Sequence, residues 1–108
     1  MTLRLTILIT AFREAETIGQ AIEAFLAQAP EKAELVVVCP DPKTTAVVDS
    51  YAERTSEAKT SVHHVADPQR GKPTAVNVGL EAAKGEIVVL SDGDVVITDG
   101  ALEPLLAP

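Results

Sequence analysis

Leu35-Val36-Val37-Val38-Cys39 is an unbroken apolar run of strand length. A strand with one wet face alternates apolar and polar residues, whereas one buried on both faces does not. Burial on both faces is the mark of a parallel sheet covered by helices. Upstream of this run, Glu14 to Gln28 predicts a helix, with Ile18, Ile22 and Phe25 at i, i+4 and i+7, Leu26 beside them, and Pro30 as the stop. Before that helix, Leu3 to Thr10 predicts a strand in which Leu3, Leu5, Ile7 and Ile9 alternate with Arg4, Thr6 and Leu8. Downstream, Pro40-Asp41-Pro42 predicts a loop and Thr44 to about Ala58 a second helix carrying the pairs Val47/Tyr51 and Val48/Ala52. Thr60 to Val65 predicts a weaker strand, followed by a polar loop from Ala66 to Gly71. Pro73 to Lys84 predicts a third helix, with Gly85 suited to the position just past its end. Ile87-Val88-Val89-Leu90 is a second continuously apolar strand, and Asp99 suits the cap of a short helix containing Leu102, Leu105 and Leu106.

The predicted order is β-α-β-α-β-α-β, an α/β fold with right-handed crossovers onto a mainly parallel sheet. With 108 residues, 46% of them apolar, the chain suits a single domain over 1–108. A chain of that size buries roughly two thirds of the surface its unfolded form exposes. Sixteen acids against nine Lys and Arg give a net charge of −7. That balance argues against nucleic acid as a partner, since such binding rests on neutralised phosphates. Aromatics make up only 3%, which leaves no platform for stacking successive bases. The one cysteine, Cys39, excludes an internal disulfide framework and a multi-thiolate metal site. No apolar run reaches the roughly 18 residues of a membrane helix. Met1-Thr2-Leu3-Arg4-Leu5 lacks a secretory-signal pattern. The expectation is a cytoplasmic protein, or one attached to a membrane within a longer parent.

Ligands of open parallel sheets bind outside the carboxyl ends of the strands. That rule selects the loops at 10–14, 39–44, 66–72 and 91–95. The last contains Ser91-Asp92-Gly93-Asp94. Carboxylates at i and i+2 of an extended chain share one side and suit a hard cation such as Mg²⁺ or Mn²⁺. Asp and Gly are also ordinary turn residues, and the place at the end of an apolar strand is what favours the metal. The third loop, Asp67-Pro68-Gln69-Arg70-Gly71-Lys72-Pro73, puts two cations at a helix N-terminus, where an anion is favoured. Solvated loop charges are the plainer alternative for Arg70 and Lys72. Gly71-Lys72 is not part of a P-loop, because Ala66 and Pro73 stand where Gly and Ser or Thr are required. Glu14 suits a first-turn helix acid, and Asp41 a turn. His63 and His64 are strand neighbours, face opposite ways and cannot chelate one metal together. Cys39 suits a packing role, and Asn77 either a loop contact or an exposed helix face.

The stretch Arg70-Gly71-Lys72-Pro73-Thr74-Ala75-Val76-Asn77-Val78-Gly79-Leu80, followed by Ala83-Lys84-Gly85-Glu86 and Ile87 to Asp94, resembles the family 2 glycosyltransferases of the GT-A fold. Their pattern is G-K-x-x-A-x-N-x-G, a helix ending A-x-G-E, an apolar strand and a D-x-D motif. Thr6 to Glu14 is similar to the family's first strand and its aromatic-Asn-Glu turn. Arg13 stands where Asn is usual, and the second loop lacks the paired acids common there.

The resemblance implies a three-layer, Rossmann-like domain and the N-terminal, donor-binding half of a glycosyltransferase. Phe12, Glu14, Asp41, Arg70, Lys72 and Asp92 are the implied nucleotide-sugar contacts, and Asp92 and Asp94 the implied ligands of a divalent cation, Mn²⁺ or Mg²⁺. The implied donor is a UDP-, GDP- or dTDP-sugar. The family's general base lies after the D-x-D, so the isolated 108 residues are expected to bind donor without transferring sugar. Two other readings fit less well. A nucleotidyltransferase needs a glycine-rich loop after strand one, where Thr10-Ala11-Phe12-Arg13 has none, and a phosphoacceptor domain needs acids that Ile9-Thr10 does not supply. Val88 to Leu90 are expected to form an uncovered sheet edge open to a second copy.

Overall fold

The computed structural model describes residues 3–29, 32–56 and 60–92. It contains β1 (Leu3–Thr10), α1 (Ala15–Gln28), β2 (Ala33–Cys39), α2 (Pro42–Arg54), β3 (Ser61–Ala66), α3 (Lys72–Ala82) and β4 (Gly85–Asp92). The strands form one parallel sheet in the order β3-β2-β1-β4. The expected α/β alternation is what forms. Among the described residues, no helix is long and apolar enough to cross a membrane.

The pleat divides the core into two layers. Leu5, Ile7 and Ile9 of β1 join Leu35, Val37 and Cys39 of β2 against Ile18, Ile22 and Phe25 of α1 and Val48 of α2. Leu8, Val36 and Val38 point the other way, onto Ala75 of α3. The central run of β2 is thus buried on both faces, as its unbroken apolar sequence requires.

α1 and α2 lie on one face because β1, β2 and β3 step in one direction across the sheet. α3 crosses back to reach β4 on the far side of β1, and a right-handed crossover then puts it on the opposite face. The direction reverses at β1, which makes the gap between the β1 and β4 loops the topological switch point where such sheets bind ligands.

Several element boundaries differ from expectation for physical reasons. α2 begins at Pro42 instead of Thr44, because Asp41 is its N-cap and proline fits the first turn. α3 begins at Lys72 and stops at Ala82. Gly85 is not a left-handed helix cap: among the described glycines only Gly71 has positive φ, at 97°. Gly85 instead opens β4, where a Cβ would lie 2.5 Å from the Thr6 nitrogen. β4 is not buried on both faces like β2. It is an edge strand, with Ile87, Val88 and Leu90 exposed and Leu90 at 56%. The short helix with Leu102, Leu105 and Leu106, together with Gly93 and Asp94, lies outside the described residues.

Candidate functional site

A cleft of about 530 Å³ opens at the carboxyl ends of β1 and β2. One wall is the loop after β1, contributing Thr10, Ala11, Phe12 and Glu14; the other is Asp67, Gln69, Gly71 and Lys72, leading into α3. The cleft lies outside the carboxyl ends of the strands, as expected of a parallel sheet, and draws its lining from the loops after β1, β2 and β3.

The first loop is tied down by hydrogen bonds from each of its amides. Ala11 N donates to the Val38 carbonyl at 3.0 Å. Phe12 N donates to Glu14 Oε1 at 3.2 Å, Arg13 N to Asp41 Oδ1 at 2.8 Å, and Glu14 N to Thr44 Oγ1 at 3.0 Å. With its amides engaged, the loop holds a bent, non-helical path. Arg13 sits at φ 55°, a left-handed conformation that asparagine tolerates better than arginine. Its guanidinium lies 5.1 Å from the centre of the Phe12 ring, and that ring is itself 54% exposed.

Asp41 ties this loop to α2. Its Oδ2 accepts from Thr44 N at 3.1 Å and Thr44 Oγ1 at 2.6 Å, while Oδ1 takes the Arg13 amide. Burial alone would raise the Asp41 carboxyl. The hydrogen bonds from Thr44 and Arg13 outweigh it and hold the group below the ordinary carboxylate range. Asp41 lines a second, larger cleft of about 930 Å³ with Arg13, Glu14 and Lys43. Glu14 borders both clefts, and its Oε2 is buried without a hydrogen-bond partner among the described residues.

Of the residues singled out from sequence, Phe12, Glu14 and Lys72 meet in the main cleft, with Asp41 on the far side of Glu14. Arg70 is exposed and is not among the residues lining either cleft. The Asp92 backbone lies opposite Thr10, a lining residue of the main cleft, in the β1–β4 register. Asp94 lies outside the described residues.

Sequence reasoning missed Asp67 and Gln69 as cleft residues. Asp67 Oδ1 accepts from Gln69 N at 2.8 Å, an Asx turn that holds Gln69 at φ 59°. The Asp67-Pro68 pair was the available signal.

Cys39 is buried, and burial, its largest influence, pushes its thiol up, the reverse of an activated nucleophile. His63 and His64 point to opposite faces, as expected. His63 bonds to Ser61 Oγ, and His64 Nε2 lies 3.1 Å from the Cys39 carbonyl oxygen.

A family profile described as "Glycosyl transferase family 2" matches residues 6–108. The chain belongs to that family. A solved structure of the mannosyltransferase PcManGT from Pyrobaculum calidifontis, in complex with GDP-Man and Mn²⁺, is 31% identical at TM-score 0.76. The match covers 89% of this chain and 29% of that one. TarS 1-349 from S. aureus superposes at TM-score 0.77 and 20% identity, over 95% of this chain and 31% of that one, a likeness of fold alone. The chain therefore spans less than a third of the length of these two proteins. No curated protein matches it. Its sheet and helices are those of the GT-A, Rossmann-like transferases.

Proposed function

We propose that the chain is the donor-binding part of a metal-dependent glycosyltransferase, and that the main cleft takes the nucleoside diphosphate of a UDP-, GDP- or dTDP-sugar. The observation that carries this is the convergence on one cleft of an exposed ring at Phe12, an unpartnered carboxylate oxygen at Glu14 and a cation at the N-terminus of α3, with Asp92 arriving opposite Thr10. Further support is that the 31% identical mannosyltransferase holds GDP-Man and Mn²⁺.

Phe12 offers a ring to the base. Glu14 Oε2 accepts a hydrogen bond from base or ribose. The Lys72 ammonium and the first-turn amides of α3 attract the diphosphate. Gly71, at φ 97°, lets the backbone turn into that helix close to the ligand. Arg70 stands one residue further out, and Asp41 holds the Phe12–Glu14 loop in shape.

Asp92 and Asp94 fit a hard cation by donor type, two carboxylates at i and i+2. Bound there, a divalent cation supplies charge neutralisation at the leaving diphosphate. In the complete enzyme an acceptor hydroxyl oxygen bonds to the anomeric carbon as the bond to the diphosphate oxygen breaks. The diphosphate leaves with that electron pair, and a base after residue 108 takes the hydroxyl proton.

Calorimetry with Mn²⁺ and GDP tests the donor site. Binding of the pair by the parent chain, lost in Asp94→Ala, is expected. Equal binding by Asp94→Ala removes the D-x-D from the site.

A further inference from the structure

β4 poses a register problem. Its apolar residues, Ile87-Val88-Val89-Leu90, occupy both faces, and three of the four are exposed. Sliding the strand by one residue exchanges one aliphatic side chain for another, so the hydrophobic pattern specifies its register weakly. Yet the observed register runs without a break from Leu5 opposite Ile87 to Thr10 opposite Asp92. A one-residue slip puts Ser91 or Gly93 opposite Thr10 in place of Asp92.

The entry to the strand holds the information that the aliphatic run lacks. Glu34, only 2% exposed, lies beside Thr6 in the β1–β2 register. Its Oε2 accepts from Thr6 Oγ1 at 2.7 Å and from the Lys84 backbone N–H at 2.6 Å. Thr6 Oγ1 in turn accepts from Gly85 N at 2.9 Å. The hydroxyl is thus used both as donor and as acceptor. The Glu34 Oε1 atom lies 3.7 Å from His63 Nε2 of β3. One buried carboxylate therefore touches groups from β1, β3 and the lead into β4.

The contact is also selective by shape. A Cβ on residue 85 would meet Thr6 N at 2.5 Å and Leu5 C at 2.7 Å, both backbone atoms. Moving the chain by one residue carries the Cβ of Lys84 or Glu86 into that space. Every residue from 83 to 86 carries a backbone N–H, so the glycine-sized space, and not the donor count, tells one register from the next. The hydrogen bonds therefore hold the lead into β4 against Thr6 and Glu34, and the space that only Gly85 fits selects the register.

We propose that Glu34, acting through Thr6 and the Lys84–Gly85 backbone, is a positioning residue that sets the register of β4 and so delivers Asp92 to the cleft. Thr6 and Thr10 are four residues apart, about 13 Å at ~3.3 Å per residue, so Glu34 acts without reaching the ligand. The functional consequence rests on the proposed role of Asp92; the register itself does not.

The test is ligand-free NMR on the full 108-residue chain, comparing Glu34→Ala and Thr6→Val with Glu34→Gln, whose amide oxygen still accepts both hydrogen bonds. The parent chain and Glu34→Gln are expected to show backbone contacts between Leu5 and Ile87, Ile7 and Val89, and Ile9 and Ser91. In Thr6→Val and Glu34→Ala these contacts weaken or move by one residue. The amides of 87–91 then exchange at least about tenfold faster, while those of Val36–Val38 remain protected. If Glu34→Ala does not fold, the nearly isosteric Thr6→Val decides. Parent-like contacts and exchange at 87–91 in Thr6→Val overturn the proposal. So does loss of Val36–Val38 protection in both variants, since the network would then hold the whole sheet and not β4. Because no ligand is present, failure of the donor-site reading leaves this result interpretable.

Discussion

Replacing Gly85 by alanine adds one methyl group where the structure leaves no room for it. The new Cβ would lie 2.5 Å from Thr6 N, 2.6 Å from Thr6 Oγ1 and 2.7 Å from Leu5 C. Two of these atoms belong to the backbone of β1, and none is the end of a flexible side chain that can swing away. Overpacking of this kind costs about 1–3 kcal/mol. Weakening the Gly85 N to Thr6 Oγ1 hydrogen bond adds about 1 kcal/mol. Stiffening of the unfolded chain returns about 0.4–1 kcal/mol. A net loss of about 1–3.5 kcal/mol follows, and at ~4–8 °C per kcal/mol for a domain near this size, Tm falls by at least about 4 °C and by about 15 °C at the middle of the range. Thermal melts followed by circular dichroism, with urea titrations beside them, read this directly. Gly19→Ala is the internal control. Its nearest neighbours would be Tyr51 Oη and Val47 Cγ1, each at 3.8 Å, and the gain in helix propensity is about 0.8–1 kcal/mol. Its Tm should rise. Gly85→Asn separates this account from a helix-cap role, because asparagine suits a left-handed cap but is larger than alanine at a tight contact. Asn is expected to be worse than Ala. A Gly85→Ala protein melting within ~2 °C of the parent would refute the close-contact reasoning, since even 1 kcal/mol shifts Tm by more than that.

Arg13 sits in the left-handed region at φ 55°, so Arg13→Gly or Arg13→Asn should stabilise the fold by about 1 kcal/mol, read as a higher urea midpoint; unchanged midpoints argue against that conformation. Asp41 has a native pKa held below its unfolded value, so it stabilises the fold above about pH 4 and loses that contribution as pH falls through its native value. Asp41→Asn, which keeps a capping oxygen, should therefore flatten the acid limb of a stability–pH curve, and an unaltered limb assigns acid sensitivity elsewhere. Among the described residues β4 is bonded on one side only, to β1, and Val88 and Leu90 are exposed. Light scattering should therefore show association of the isolated chain that grows with concentration, and a monomer at high concentration is the contrary result. The isolated chain should also give no sugar transfer with GDP-mannose, and turnover would place a base within the 108 residues.

Much of the fold is legible in the sequence because its determinants are local. The unbroken Leu35–Cys39 run announces a doubly covered strand, and the Ile18/Ile22/Phe25 stripe a helix with one buried face; both are buried as expected. The loops that matter follow from the rule for parallel sheets, and Phe12, Glu14 and Lys72 meet where it points. What escaped depends on partners distant in sequence. Ile87–Leu90 has the same character as Leu35–Cys39, yet one strand is central and the other an edge, because strand order is decided by crossovers and not by composition. Asp41-Pro42 begins α2 because its carboxylate finds Thr44 and, 28 residues away, the Arg13 amide. Glu34 is the sharpest case. An acid at the start of an apolar strand looks like a surface residue, and such acids are almost never fully buried unless paired. The partners that justify its burial, Thr6 and the Lys84 amide, stand 28 and 50 residues away. Gly85 escaped for the same reason: the local pattern offers a helix cap, but the space that demands glycine belongs to the backbone of β1. The positions hardest to read locally are thus those that join β4 to the rest of the sheet. β4 is the strand that ends in the first acid of the D-x-D, so errors in reading this joint fall on the element nearest the proposed chemistry.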